Sequence, residues 1–274
     1  MNRISYQPAR RYMLLLVALV LLVGLWIAME ASADKRTPHA QPVVYIAGDS
    51  TVQTYTSDQQ PQAGWGQMIG HYFDTGIVFS NHAISGRSTR TFIQQGRLDE
   101  IMNEIRPGDY LLIQFGHNDA NTAKPDRYTP VNEYGRLLRD YVERARQNGA
   151  TPVLITPMGT RDYNAQAGGF TISFPQYVEK MKQVAADTDT PLVDLSTSSV
   201  AYYNQLGEDA TKKLFLYAEP GQYPAFPNGA QDNIHFQNKG ADQMARLVAQ
   251  GIQQLSIPLA NHIQSSTLHV DSTN

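Results

Sequence analysis

Val43-Val44-Tyr45-Ile46-Ala47-Gly48-Asp49-Ser50 is an apolar run closed by a Gly-Asp-Ser turn. Such a run, β-branched and without polar alternation, reads as a parallel strand covered on both faces. The turn after it would lift a serine hydroxyl to the carboxyl end of the strand, where open α/β sheets bind their ligands. Working outward, four more apolar segments repeat the pattern: Ile77–Ile84, Tyr110–Phe115, Pro152–Ile155 and Leu192–Leu195. Helical patterns separate them: Gln67–Phe73, Phe92–Ile105 (ended by Pro107-Gly108), Pro130–Asn148 (stopped by Gly149), Phe174–Asp187 and Ser198–Leu206. Asn238–Leu255 is the last long helix. Strands alternating with helices imply one α/β domain, a parallel sheet between two helical layers, over residues 43–257. Residues 159–174 and 213–230 read as long irregular loops, and residues 258–274 as a loose polar tail.

Composition narrows the chemistry. The 274 residues carry a formal charge of −3, and beyond the N-terminus no lysine–arginine run offers a surface to nucleic acid. With no cysteine, disulfides, thiolate metal sites and a cysteine nucleophile are all excluded. No His, Asp and Glu spacing suggests a metal site, and no glycine-rich nucleotide loop is present, so no cofactor is expected. At the N-terminus Arg3, Arg10 and Arg11 precede an apolar run, Met13–Met29, followed by Ala31-Ser32-Ala33. That is the pattern of a secretory signal peptide over residues 1–33, cut after Ala33, with residues 34–42 as a linker. The alternative is an uncleaved anchor through residues 13–29. Either way the domain is expected outside the cytoplasm, secreted or periplasmic, as a monomer whose only membrane contact is that segment.

Acyl transfer needs a hydroxyl, a histidine to take its proton, a carboxylate to orient that histidine, and donors for an oxyanion. Ser50 can be the hydroxyl, while Asp232 and His235, three residues apart in a presumed loop before the last helix, can be the other two. The Ser50 and Gly86 backbone N–H groups and the Asn118 amide are candidate donors, since Gly86 and Asn118 each follow a predicted strand. The nucleophile elbow Gly-x-Ser-x-Gly is absent, which disfavours an ordinary α/β-hydrolase. Arg87 and Arg90 either meet substrate carboxylates or brace the Gly86 loop. Trp65 either stacks on a sugar or packs against the serine turn, and His117 either contacts substrate or supports that turn. Aromatics in the two loops (Tyr163, Phe170, Phe174, Tyr217, Tyr223, Phe226) form either a glycan platform or small loop cores.

Gly48-Asp49-Ser50, Gly86, Asn118 and His235 resemble the four blocks of the SGNH (GDSL-type) hydrolases. More narrowly, Ala47–Val52, Gly64-Trp65-Gly66-Gln67, Asn81–Phe92, Gln114–Asp119 and Asp232–His235 resemble the rhamnogalacturonan acetylesterases. The resemblance, spanning residues 43–252, implies a flavodoxin-like α/β/α sandwich and metal-free hydrolysis of acetyl esters on a pectic polysaccharide. It assigns Ser50 as nucleophile, Asp232 as orienting acid, His235 as base, and Ser50, Gly86 and Asn118 as oxyanion donors. The competing expectations are an esterase or lipase for small esters or lysophospholipids, and a glycan-binding module without catalysis.

Overall fold

The computed structural model describes residues 36–268; the leader or anchor expected over residues 1–33 and the end of the tail, 269–274, lie outside them. Among the described residues no helix is long and apolar enough to cross a membrane.

The strands are β1 (Val43–Gly48), β2 (Gln62–Ala63), β3 (Val78–Asn81), β4 (Tyr110–Gln114), β5 (Thr151–Ile155), β6 (Tyr163–Asn164), β7 (Gly169–Phe170), β8 (Leu192–Val193), β9 (Phe215–Ala218) and β10 (Ala230–Gln237). The helices are α1 (Trp65–Met68), α2 (Thr89–Gln94), α3 (Arg97–Glu104), α4 (Val131–Gln147), α5 (Pro175–Asp187), α6 (Leu195–Leu206), α7 (Glu208–Lys212) and α8 (Asn238–Gln253). Five strands form the parallel sheet in the order β3-β1-β4-β5-β8.

Because successive side chains of a strand point to opposite faces, the apolar runs feed two cores at once. Val44, Ile46, Leu112, Val153 and Ile155 pack with Trp65, Leu195, Met244 and Val248, which belong to α1, α6 and α8. Tyr45, Ala47, Leu111, Ile113 and Leu154 pack with Phe92, Ile101, Leu138, Tyr141 and Met181 from α2 to α5. The three-layer sandwich read from the sequence is therefore the fold. From β1 the chain steps outward to β3, then returns across to β4 on the other side. That reversal opens a crevice at the carboxyl end of β1, the place where doubly wound sheets hold their ligands.

Several elements differ from expectation. The single helix read over 92–105 is two, α2 and α3, because Gly96 at φ 73° turns left-handed between them. Ser88 starts α2 earlier, as its hydroxyl accepts from the Thr91 N–H. Pro130 sits at the N-cap of α4 rather than inside its first turn. The 159–174 loop contains the β6–β7 hairpin, and the 213–230 loop contains β9. Residues 258–268 are docked, not loose. Leu259 is fully buried, Phe73 and Ile263 form a β-bridge, and the Asp74 N–H donates to the His262 carbonyl at 2.8 Å.

The second sheet, β2-β10-β9, is antiparallel and leads straight into α8. Gly240, in the first turn of α8, is where these pieces meet. A Cβ there would lie 2.1 Å from the Leu214 carbonyl oxygen, and backbone cannot yield as a flexible side chain would. Gly240→Ala is expected to lower stability by about 1–3 kcal/mol or more. A denaturant midpoint equal to wild type would show that α8 can shift away freely.

Candidate active site

Ser50 follows β1 directly, and the turn that carries it is fixed from three sides. Asp49, fully buried, accepts through Oδ1 from the Thr51 N–H at 2.9 Å and the Thr51 hydroxyl at 2.8 Å. Gln114 at the end of β4 donates to Thr51 Oγ1 at 2.8 Å and accepts from the Trp65 indole N–H at 2.7 Å. The Tyr55 hydroxyl donates to the Ser50 carbonyl at 2.9 Å. Among the described residues the Ser50 hydroxyl has one partner, Nε2 of His235 at 2.8 Å.

His235 and Asp232 do not sit in a loop of the main sheet. They lie on β10, where the ladder with β9 loses its register between Gln231 and Phe236. Such a bulge breaks pairing and re-aims side chains. Asp232 Oδ1 accepts from the backbone N–H groups of Ile234 at 2.7 Å and His235 at 3.0 Å, and Oδ2 lies 2.7 Å from His235 Nδ1. Burial alone would raise the Asp232 carboxyl, but its bonds to His235 and to the two N–H groups hold it below the ordinary value. It stays ionised and faces Nδ1, which places the imidazole proton there and leaves Nε2 free to accept from Ser50.

The candidate oxyanion donors flank β1 on both sides. Gly86 follows β3 at φ 78°, a left-handed conformation that suits glycine. Asn118 follows β4, and Tyr134 of α4 and Tyr177 of α5 pin its loop by donating to the Phe115 carbonyl at 2.9 Å and the Thr129 carbonyl at 2.7 Å. Among the described residues neither the Ser50 nor the Gly86 N–H has an acceptor. Asn118 Nδ2 donates once, to the Arg87 carbonyl at 3.0 Å, so its other hydrogen is available. The amide cannot turn over, because Arg127 Nη1 donates to its Oδ1 at 3.0 Å. An ester carbonyl brought to Ser50 would thus meet a hydroxyl bonded to an imidazole, with three candidate donors on the loops beside it.

Arg127 is the residue that sequence reading passed over. It lies in a polar stretch with no motif, and its signal was only a cation nine positions after Asn118. Elsewhere the structure bears on the alternatives open in the sequence. Trp65 is fully buried against Gln114 and cannot stack on a sugar. His117 is largely buried between Asp49 Oδ2, 3.5 Å from its Nδ1, and the edge of Phe174, so it supports the turn rather than touching substrate. Arg90 donates to the carbonyls of Pro125, Asp126 and Tyr128 and braces that loop. Arg87 donates from Nη1 to the Ser85 carbonyl and from Nε to Gln95, and these bonds do not engage its Nη2. Phe170 is buried between Tyr163 and Tyr203, making a small loop core and not a platform.

Asp119 has a separate consequence. It is fully buried, and burial pushes its carboxyl up to about 7, the nearby Asp49 adding to this while Thr89 and Thr129 oppose it. An unfolded aspartate titrates near 3.9, so between these values the folded state holds a proton the unfolded chain has lost. The stability this proton contributes is complete at low pH and disappears as pH rises through about 7. Between about pH 5 and pH 8, wild type is expected to lose Tm relative to Asp119→Asn. A difference in Tm that does not move with pH would show that Asp119 is not raised into this range.

The family model for GDSL-like lipases and acylhydrolases matches residues 46–243. The chain belongs to that family. It is a carboxylic ester hydrolase. Rhamnogalacturonan acetylesterase RhgT of Bacillus subtilis is 40% identical over 222 residues, covering 81% of this chain and 94% of the relative. From the same organism, "Probable rhamnogalacturonan acetylesterase YesY" is 43% identical over 221 residues, 80% of this chain and 96% of the relative. The crystal structure of YxiM, also from Bacillus subtilis, superposes with a TM-score of 0.69 at 30% identity, covering 81% of this chain and 59% of that one. Among the described residues no group of three His, Asp or Glu could hold a metal ion.

Proposed function

We propose that this hydrolase removes acetyl groups from a pectic polysaccharide of the rhamnogalacturonan type, through an acetyl-Ser50 intermediate. The observation that carries the mechanism is the unbroken chain Asp232 Oδ2, His235 and Ser50 Oγ, with contacts of 2.7 and 2.8 Å. His235 Nε2 takes the Ser50 proton as Oγ attacks the acetyl carbon, and the oxyanion is held by the Ser50 and Gly86 N–H groups and the Asn118 amide. The imidazolium returns its proton to the departing sugar oxygen. Water, deprotonated by His235, then releases acetate and restores Ser50. The substrate class rests on the relatives' names, RhgT and YesY. Export, by a cleaved leader or an anchor, is proposed with it and rests on the N-terminal sequence pattern.

The test is acetate release from acetylated rhamnogalacturonan, acetylated xylan and p-nitrophenyl acetate, with Ser50→Ala alongside. Preferential release from the pectic polymer, lost in the variant, is the expected result. Activity confined to p-nitrophenyl acetate would keep the hydrolase and remove the glycan. Inactivity on all three would overturn the acetylesterase.

A further inference from the structure

We propose that the cleft beside Gly86, walled by Arg87 and Arg127, receives the carboxylate of a uronic-acid residue in the glycan being deacetylated. The proposal rests on the esterase reading above and names what lies next to the reacting ester. The cleft is lined by Ser85, Gly86, Thr91 and Gln95 together with the two arginines and Asp126. It therefore reaches Gly86, a candidate oxyanion donor, and Arg127, which holds the Asn118 amide.

Three observations point to an anion. First, Arg127 Nη1 serves Asn118, while Arg87 Nε and Nη1 serve Gln95 and Ser85. The Nη2 group of each arginine has no hydrogen-bond acceptor among the described residues, so each side chain keeps charged N–H donors for an anion. Second, positive charge is crowded. Burial foremost, and then the guanidinium groups of Arg97 and Arg127, depress the basicity of Arg87. The carboxylate in the lining is that of Asp126, 3.8 Å from Arg127 Nε with its side chain 74% exposed. In a chain of net charge −3 this concentration is local and does not reflect the protein as a whole. Third, glycine at position 86 makes room for it, since a Cβ there would stand 3.2 Å from Arg127 Nη1. In a uronic acid the carboxylate and the acetylated ring hydroxyls share one ring, so both can be held together. A neutral xylan offers no such group.

The test compares kcat/KM for acetate release from acetylated rhamnogalacturonan oligosaccharides with free galacturonate carboxylates and from the same oligosaccharides methyl-esterified. Esterification is expected to cost wild type about tenfold or more, on the scale of hydrogen bonds to a charged group. The gap should narrow as salt is raised. In Arg87→Gln and Arg127→Gln the ratio of the two substrates should fall toward one, whatever happens to the absolute rates. Equal kcat/KM on the two forms overturns the cleft while leaving the esterase intact, as does a ratio unmoved in both variants. Release from xylan or p-nitrophenyl acetate with neither pectic form cleaved overturns the substrate reading and the cleft together.

Discussion

Ser50→Ala is expected to reduce kcat for p-nitrophenyl acetate by a factor on the order of 10⁴–10⁶ while leaving the thermal melt within a degree or two of wild type. Nothing else at the crevice can replace the hydroxyl. The Thr51 hydroxyl is committed to Asp49, and the chain has no cysteine. The fold should tolerate the change because the turn is held by Asp49, Thr51, Gln114 and Tyr55 and not by the Ser50 side chain. What remains would be the water reaction aided by the three donors alone. Turnover within tenfold of wild type would mean another nucleophile.

His235→Ala is expected to cost nearly as much, on the order of 10⁴ or more in kcat, and the double variant with Ser50→Ala no more than either single one. The reason is that the three groups act as one unit. Without imidazole the serine has no base at 2.8 Å, and Asp232 loses the partner that most lowers its carboxyl, keeping only its backbone donors. Independent, multiplying losses in the double variant would show that the two residues serve different steps. A loss below about a hundredfold in His235→Ala would assign the base elsewhere.

The centre of the sheet was legible because β1, β4 and β5 are apolar runs, and burial on both faces is what such a run records; edge strand β3, Val-Phe-Ser-Asn, is nowhere buried. β1, β4 and β5 lie within a residue or so of their expected bounds. The chemistry was legible where a residue type is scarce in its setting, as with a serine after a buried strand or an aspartate three before a histidine. Where tertiary contacts outweigh local pattern, it was not. β9 and β10 are assigned by pairing across the sequence, which polar and proline-rich residues 213–231 do not announce. The burial of Trp65 depends on Gln114, 49 residues away, and the hold of Arg127 on Asn118 depends on a loop with no period of its own. A tail rich in Ser, Asn and Gln reads as loose because its anchors, Leu259, Ile263 and Leu268, are too few and too scattered to form a pattern.

The bulged strand has one more consequence. Ser50 belongs to the parallel sheet, whereas His235 and Asp232 ride on a small antiparallel ribbon whose pairing is already interrupted beside them. Ribbons of that kind open at lower free energy than a buried core does. Warming is therefore expected to part His235 from Ser50 before the sandwich melts; activity and fold lost at one temperature would show that the two sheets open together.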